Sequence, residues 1–480
     1  MSTRDLTIFQ INDTHGYLEP HPELVWAGAE ASYRTMGGYA RIASLLKAAR
    51  AERPGAVVAL DNGDTFHGTY PAVESKGEAL VPLVNALHLD AMTAHWEFAW
   101  GPRHVIALVG RLDHPMLAIN CYDKETGKRP FPASIMVERG GLRVGVIGIA
   151  ATIIDKSMPP HFSEGVRFTL GVDELPAEIE RLRRDEKADL LIVLSHLGFP
   201  LDVKLARMIG GIAVIVSGHT HNRLESPARV NGTLIIQSGC HGSFVGRLDL
   251  RIDGGEIVDA RHRLIAVDES IAVDAAMQQM VEETMRPHRA MLDEVMGRTQ
   301  IGLHRDTNLY APMDDVLLAA IARAGDADIA FSNGWRYGAP IPPGPVTMND
   351  FWNIIPTNPP VSTVALTGGE IRKMLEDNLE RTFAADPFEQ MGGYLKRFRG
   401  LTVYGKIENP AGWRIEHIFV GNAPIREQHS YKAAFVTAQG VPEEFGQNRR
   451  NLPIKAVDAL REYFRAPAGT HARPGRFVAA

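Results

Sequence analysis

The stretch that decides the fold reads Leu6-Thr7-Ile8-Phe9-Gln10-Ile11-Asn12-Asp13-Thr14-His15-Gly16. Its first half is mainly apolar and has the length of a strand. Its second half changes to polar side chains, with Asp13 and His15 two residues apart. Because side chains alternate along a strand, an Asp-x-His at a strand end directs both side chains to the same side. The stretch therefore predicts a strand that brings a carboxylate and an imidazole to one point.

Short apolar runs recur along the first half of the chain, and helical patterns such as 39–51 separate them. The predicted strands are 56–60, 115–120, 142–149, 190–195, 213–217, 233–238 and 244–252. Strands that alternate with helices predict an α/β fold with layered sheets. The reactive residues come just after these strands, which is where open α/β sheets place their sites.

Four further segments carry the same kind of chemistry after apolar runs. They are Asp61-Asn62-Gly63-Asp64-Thr65, Thr93-Ala94-His95-Trp96-Glu97-Phe98-Ala99-Trp100-Gly101, Ser195-His196 and Ser217-Gly218-His219-Thr220-His221. One such segment alone is more often a turn or a structural histidine, but five in this order indicate a metal centre. Carboxylate and imidazole ligands suit Zn²⁺ or Mn²⁺. With Asp64 placed to bridge, we expect two divalent metal ions that activate water, and hence a hydrolase.

The composition of the chain indicates which classes of binding partner do not fit it. The chain has 480 residues and a formal net charge of −6, which argues against a nucleic acid polymer as the main partner. It has two cysteines, Cys121 and Cys240, too few for a disulfide framework. No apolar run reaches the length of a membrane span, and the N-terminus lacks the pattern of a signal peptide. These features predict a cytoplasmic protein without a membrane partner, or a periplasmic one if a signal was trimmed, and they leave the oligomeric state open.

The pattern changes between Asp268 and Arg298, where valine and methionine recur at helical spacing without strands. We therefore predict a catalytic domain over 1–265, a linker helix over 266–300 and a second α/β domain over 301–465. The last segment, 466–480, is rich in alanine, proline, glycine and arginine and is predicted to be a flexible tail.

The five segments resemble those of the 5′-nucleotidase family, in which a calcineurin-like metallophosphoesterase domain precedes a 5′-nucleotidase C-terminal domain. The resemblance extends over nearly the whole chain. It implies a four-layer αββα sandwich followed by a smaller α/β domain that binds substrate. By the same resemblance, one metal would be bound by Asp13, His15, Asp64 and His221, and the other by Asp64, His95, His196 and His219.

The third segment departs from the family pattern Gly-Asn-His-Glu-Phe-Asp-x-Gly. His95 replaces the metal-binding Asn, Trp96 replaces the catalytic His, and Ala99 replaces the Asp that orients it. The altered run is similar to that of the thiosulfohydrolase branch of the superfamily, from the bacterial sulfur-oxidation system. The stretches Phe388 to Gly393 and Arg399-Gly400-Leu401 are also similar to those of that branch. That branch implies a dimanganese centre and a modified cysteine on a carrier as substrate, beside the small anionic substrates of the wider family.

In the second half, Ser332-Asn333-Gly334-Trp335-Arg336 resembles the substrate loop of the family. Asn333 and Arg336 are therefore predicted to bind substrate, and a guanidinium is suited to an anion. Arg336 is also predicted to help catalysis, together with Asp64 and His95. Lys396, Arg397 and Arg399 are interpreted as a solvated basic face.

Trp96 and His241 are two further candidates for substrate contact. Trp96 is either an apolar wall beside the metals or a core anchor, and His241 is either a substrate contact or a loop histidine bonded to backbone. Phe445 lies in a stretch without the Asp-Gly-aromatic pattern with which nucleotidases clamp a base, although stacking there stays open.

Three functions follow from these observations. The first is a two-metal hydrolase of an anionic ester or sulfuryl group, similar to the thiosulfohydrolases. The second is a 5′-nucleotidase or general phosphoesterase. The third, of another class, is a metal-retaining binding protein without catalysis.

Overall fold

The computed structural model describes residues 3–466 and 474–480. The chain divides into two compact units, Met1–His288 and Arg289–Ala480.

The first unit contains two large sheets. The strands of the first sheet are, in spatial order, Glu256–Ala266, Phe244–Asp253, Arg4–Ile11, Val57–Asp61 and Ala91–Met92. Those of the second are Ala228–Val230, Thr233–Ile236, Val214–Ser217, Leu190–Ser195, Leu142–Ile149 and Ser134–Arg139. Three strands of the first sheet, Arg4–Ile11, Val57–Asp61 and Ala91–Met92, run parallel to one another, and so do the four from Leu142–Ile149 to Thr233–Ile236 in the second, so the carboxyl ends of each set meet at one edge.

The two sheets pack face to face through one apolar core. Ile8 and Leu60 of the first sheet share that core with Val146 and Ile192 of the second, and all four are fully buried. Burying a side chain of this size contributes about 1.5–3 kcal/mol. Phe9, on the opposite face of its strand, is also buried, because helices cover the outer faces of the sheets. This confirms the predicted αββα sandwich.

The helices and short strands of the first unit are as follows. The α-helices are Tyr39–Glu52, Tyr70–Glu74, Val81–Asn85, Pro102–Val109, Leu175–Arg184, Phe199–Met208 and Ala275–Met285. The 3₁₀ helices are Glu78–Leu80, Trp96–Trp100, Pro160–Ser163 and Arg286–His288. Two short two-stranded sheets pair His21–Ala27 with Glu30–Met36, and Cys121–Asp123 with Val166–Phe168.

Two predicted elements of this half differ in the structure. The run 115–120 forms a single bridge, between Met116 and Met92, rather than a strand. The predicted long helix over 266–300 is interrupted: the helix Ala275–Met285 ends before Pro287, which has no N–H to continue the hydrogen-bonding pattern. The residues that follow form a short helix, Arg289–Leu292, and then a strand, Val295–Thr299.

The second unit is built on a five-stranded and a four-stranded sheet. The strands of the former are, in spatial order, Tyr394–Arg399, Ile329–Gly334, Ser430–Phe435, Pro360–Thr367 and Gln447–Lys455. Those of the latter are Ala423–Pro424, Ile415–Val420, Leu401–Gly405 and Arg476–Ala479, and a separate pair joins Val295–Thr299 to Gly344–Thr347. Its helices are Arg289–Leu292, Pro312–Ala324, Met348–Ile354, Gly368–Phe383, Pro387–Glu389 (3₁₀), Thr437–Gly440 and Ala456–Arg465.

The predicted flexible tail is wrong for its last residues. Arg476–Ala479 pairs in parallel with Leu401–Gly405, and Phe477 joins the core of the unit. Residues 467–473 of the predicted tail lie outside the described part of the chain. Within residues 3–466 and 474–480, none of the helices combines the length and the apolar character needed to cross a bilayer.

Candidate metal centre

The seven predicted ligands follow strands of both sheets of the first unit. Asp13 and His15 follow Arg4–Ile11, Asp64 follows Val57–Asp61, and His95 follows Ala91–Met92. From the second sheet, His196 follows Leu190–Ser195, and His219 and His221 follow Val214–Ser217. The carboxyl ends of these strands meet at one edge, so side chains more than two hundred positions apart in sequence come together.

These residues form two groups that share Asp64. Asp13, His15, Asp64 and His221 make up the first group, and Asp64, His95, His196 and His219 make up the second. Within each group the ligand atoms lie within 4.8 Å of one another. The structure therefore brings together the residues that the sequence singled out, in the grouping that the resemblance implies.

The distances between ligand atoms are those of donors that surround one ion. In the second group, Nε2 of His196 and Nδ1 of His95 each lie 3.3 Å from a carboxylate oxygen of Asp64. In the first, Nε2 of His221 lies 3.3 Å from Oδ1 of Asp13 and 3.3 Å from Nε2 of His15. Ligands at 2.0–2.2 Å from a tetrahedral metal ion lie roughly 3.3–3.6 Å apart, so the spacing fits.

The hydrogen bonds around the imidazoles test whether a metal fits. Nδ1 of His196 bonds the backbone carbonyl of Asn62, and Nδ1 of His15 lies 3.3 Å from that of His67. Such bonds fix the tautomer that leaves Nε2 free to bind a metal. Nε2 of His196 is buried without a hydrogen-bond partner. Two divalent ions in these groups would hold and acidify a water molecule and neutralise an anionic substrate.

The carboxylates and imidazoles of the cluster shift one another's pKa values. Burial would raise the pKa of Asp64, but His95 and His196 hold it well below its usual range. Burial would lower the pKa of His196, but the carboxylates of Asp64 and Asp13 raise it to about 10. The protein thus concentrates negative charge on the two carboxylates, where cations would bind.

The backbone is strained at the ligands. Asp13, His15, Asp64, His219 and His221 all have positive φ angles, between 49° and 72°. Side chains other than glycine rarely adopt this region, and such strain concentrates at functional sites.

Glu97 supports the ligand loops and was not singled out by the sequence analysis. It is fully buried, and its carboxylate accepts hydrogen bonds from the backbone N–H groups of Thr65 at 2.7 Å, His95 at 2.8 Å and Asp64 at 3.2 Å. It thereby joins the loop that carries Asp64 to the segment that carries His95. The motif was visible in the sequence, but the bonds to backbone that define its role were not.

Trp96 lies beside the second group. Its ring stacks on His67, with centroids 4.4 Å apart, and packs edge-on against Phe162 at 5.6 Å. Its backbone N–H donates to Oδ1 of Asp64 at 2.8 Å. Trp96 is 7% exposed, and its contact with substrate stays a prediction.

His241 lies beside the first group, with its ring centroid 6.0 Å from that of His15 and 6.3 Å from that of His221. Its backbone N–H donates to the carbonyl of Asp13 at 2.8 Å. Nδ1 of His241 lies 3.7 Å from a carboxylate oxygen of Glu23. Substrate contact by His241 stays a prediction.

The predicted substrate residues of the second unit have local partners there. The side-chain amide of Asn333 donates to Gln439 at 3.2 Å and accepts from the hydroxyl of Thr437 at 3.1 Å. Arg336 donates to the carbonyl of Gly393 at 2.9 Å, and its guanidinium lies over the ring of Tyr394. The roles of Asn333 and Arg336 in substrate binding and catalysis stay predictions.

Two predictions for the second unit depend on whether the side chains concerned are exposed to solvent. Lys396, Arg397 and Arg399 are buried rather than a solvated basic face, and Arg397 pairs with Asp314 at 3.0 Å. Phe445 is 5% exposed and belongs to the apolar core, so it is not presented for stacking on a base.

Comparisons with known proteins point to one superfamily. The calcineurin-like phosphoesterase family matches residues 6–223, and the 5′-nucleotidase C-terminal domain family matches residues 293–437. A 5′-nucleotidase of Vibrio parahaemolyticus is 27% identical over 90% of this chain and 82% of its own length. A trifunctional nucleotide phosphoesterase of Bacillus subtilis is 24% identical over 91% of this chain, which spans only 32% of that longer protein.

Two solved structures share the fold over almost the whole chain. The sulfate thiohydrolase SoxB of Thermus thermophilus, 25% identical, covers 99% of this chain and is itself covered to 97%, with a TM-score of 0.89. A 5′-nucleotidase precursor of Thermus thermophilus, 24% identical, is covered to 99% in both directions with a TM-score of 0.85. The second likeness concerns the fold alone.

Proposed function

We propose that this chain, which belongs to the calcineurin-like phosphoesterases that carry a 5′-nucleotidase C-terminal domain, hydrolyses a sulfuryl group from a sulfur-linked substrate. The family is one of metal-dependent hydrolases. The observation that carries the finer proposal is Trp96, which stands where the family pattern has its catalytic histidine.

The leaving group determines whether such a histidine is needed. An alkoxide, the leaving group of a nucleoside monophosphate, has to be protonated as its bond to phosphorus breaks. The indole of Trp96 is packed between His67 and Phe162 and does not titrate, and Ala99 has no carboxylate to orient an acid. A thiolate, whose thiol has a pKa near 8.5, leaves without that help. The substitution therefore favours cleavage of a bond to sulfur.

The reaction that fits is the hydrolysis of an S-sulfonated thiol. The bond between the thiol sulfur and the sulfuryl sulfur breaks, and an oxygen from water bonds to the sulfuryl group: R–S–SO₃⁻ + H₂O gives R–SH + HSO₄⁻. The ligands of the candidate metal centre hold Mn²⁺ or Zn²⁺ in this proposal. A carrier-borne cysteine as the thiol, and a cytoplasmic location, go with it as predictions.

A nucleotide is the second candidate substrate. It is supported by the similarity to proteins named 5′-nucleotidases, which extends over most of the chain. The burial of Phe445 counts against it, because a base-binding site of the usual kind needs exposed aromatic rings.

The test compares substrates on one preparation. Purified protein, stripped of metal and reloaded with Mn²⁺ or Zn²⁺, is offered an S-sulfonated cysteine peptide, p-nitrophenyl phosphate and AMP, and released sulfate and phosphate are measured. We expect sulfate release to have the highest kcat/KM and Asp64→Asn to lose at least about 100-fold, since one ligand of both groups changes. A kcat/KM for AMP above that for the peptide would favour the nucleotidase, and failure to cleave any of the three would refute both.

A matched variant addresses the leaving-group argument. Trp96→His combined with Ala99→Asp restores the family residues, and we expect it to raise the rate on AMP relative to that on the peptide by about 10-fold or more. An unchanged ratio would contradict the reason given for Trp96.

A further inference from the structure

A third cluster of metal-binding side chains lies in the first unit, outside the seven ligands described above. It consists of His21, Glu23 and His241, all buried, with ligand atoms within 4.8 Å of one another. His21 and Glu23 are two residues apart in the strand His21–Ala27, so both point to the same face, and His241 approaches from the loop after Thr233–Ile236.

We propose that His21, Glu23 and His241 form a third divalent cation site, with Zn²⁺ as the ion that suits it best. Two imidazoles and one carboxylate are a common protein ligand set for zinc. Nδ1 of His241 lies 3.7 Å from Oε2 of Glu23, close to the spacing of two ligands on one zinc ion. The proposal concerns ion binding and does not rest on the hydrolytic function.

The hydrogen bonds around His21 leave one proton too few. Nδ1 of His21 lies 3.1 Å from the carbonyl oxygen of Glu19, and its Nε2 lies 3.1 Å from the hydroxyl of Ser243. That hydroxyl donates to Oε2 of Glu23 at 2.7 Å. A neutral imidazole and a hydroxyl supply two protons for these three contacts. With Nδ1–H directed to Glu19, Nε2 presents a lone pair to the cluster, which is the arrangement of a metal-binding histidine.

The surroundings hold this geometry in place. The ring of Tyr17 packs on that of His21 with centroids 4.6 Å apart. Gly37, with φ of +81°, lies so close that a Cβ there would be 2.6 Å from Cε1 of His21. Oε1 of Glu23 is held by Arg223 at 2.8 Å, which fixes the carboxylate and leaves Oε2 facing the histidines. Because Arg223 adds a positive charge, we expect weaker binding here than in the two groups around Asp64.

The competing explanation is that an imidazolium at His21 supplies the missing proton and no ion binds. The two explanations differ in the number of zinc ions per chain. The protein, stripped with chelator, is equilibrated with a saturating concentration of free Zn²⁺ alone, and the bound zinc is measured in that buffer. We expect three zinc ions per chain in the wild type, two in His21→Gln, and three in His417→Gln, a control at an exposed histidine of the second unit.

Measurements on the wild-type protein alone can refute the proposed site, whether or not the variant folds. Anomalous scattering at the zinc edge from crystals of the zinc-loaded protein should give a peak bounded by His21, Glu23 and His241. Two zinc ions per wild-type chain at saturation, the absence of that peak, or three ions in a folded His21→Gln variant would each refute the site.

Discussion

Glu97→Gln tests how the protein holds its metal ligands. The carboxylate of Glu97 accepts three backbone hydrogen bonds: Oε1 accepts from Thr65, and Oε2 accepts from Asp64 and His95. A glutamine has the same shape but only one acceptor oxygen. In its better orientation the amide oxygen keeps the bonds from Asp64 and His95, and the NH₂ group faces the N–H of Thr65.

The magnitude follows from the bond lost and the charge removed. A hydrogen bond to a charged group contributes about 1.5–3 kcal/mol, and a buried donor left without an acceptor costs about 1–3 kcal/mol. Burial raises the pKa of Glu97, as does the nearby Asp64, so a neutral amide recovers part of the cost of burying a charge. We therefore expect the variant to lose about 2 kcal/mol of unfolding free energy, a value within both ranges.

Urea unfolding of metal-free protein at pH 7, followed by a signal from the first unit, measures this difference. Glu164→Gln, at an exposed position of the same unit, is the control and should change the unfolding free energy by less than about 0.5 kcal/mol. Because the variant also loosens the loop of Asp64, it should lose metal faster than the control in the presence of chelator. A Glu97→Gln variant as stable and as metal-retentive as Glu164→Gln would refute the support assigned to Glu97.

Two further predictions concern single positions. Gly68→Ala should cost at least about 2 kcal/mol of unfolding free energy and weaken metal retention, because a Cβ there would lie 2.5 Å from the carbonyl oxygen of His15; unchanged thermal unfolding and metal content would contradict this. Burial lowers the pKa of Lys396 to about 7, whereas an unfolded chain keeps the proton up to about pH 10.4, so wild-type stability should rise with pH between these values. Lys396→Met lacks that contribution, and its urea-unfolding free energy relative to the wild type should fall by roughly 2 kcal/mol from pH 7 to pH 9; a difference independent of pH would contradict the buried charge.

The sequence predicts the metal centre well because every ligand except His95, which follows only the two-residue strand Ala91–Met92, stands at the end of a predicted strand. A strand run is readable from five to eight residues, and the fold brings the carboxyl ends together without further information. Asp13 and His196 could be paired for this reason, although the separation along the chain is large. The run 115–120 is just as apolar, but it forms an isolated β-bridge between Met116 and Met92 rather than a strand, because pairing depends on residues distant in sequence.

Burial of charge is what the sequence predicts least well. Arg397 and Arg399 alternate with Phe398 and, with Lys396 beside them, read as the solvated basic side of a strand. In the structure both faces of this strand are covered. Lys396 donates to the carbonyl of Gly440, and Arg397 donates to the carbonyl of Asn308 and to Asp314. The sequence does not single out His21 and Glu23 for a related reason. A His-x-Glu on a hairpin is an ordinary pattern, and it becomes a candidate metal site only because His241 packs against it.

In the segment 95–97, the groups that hold the ligand loops differ from the side chain that would donate a proton to the leaving group. Position 96 supports Asp64 through its backbone N–H, which any residue but proline provides, and Glu97 fixes both ligand loops through backbone bonds. These backbone contacts to the ligand loops do not depend on which side chain stands at position 96. Trp96 can therefore stand in place of an imidazole while the ligand groups stay intact, as the proposed function requires. A Trp96→His variant that lost metal would break this argument, because it would tie the indole itself to the integrity of the centre.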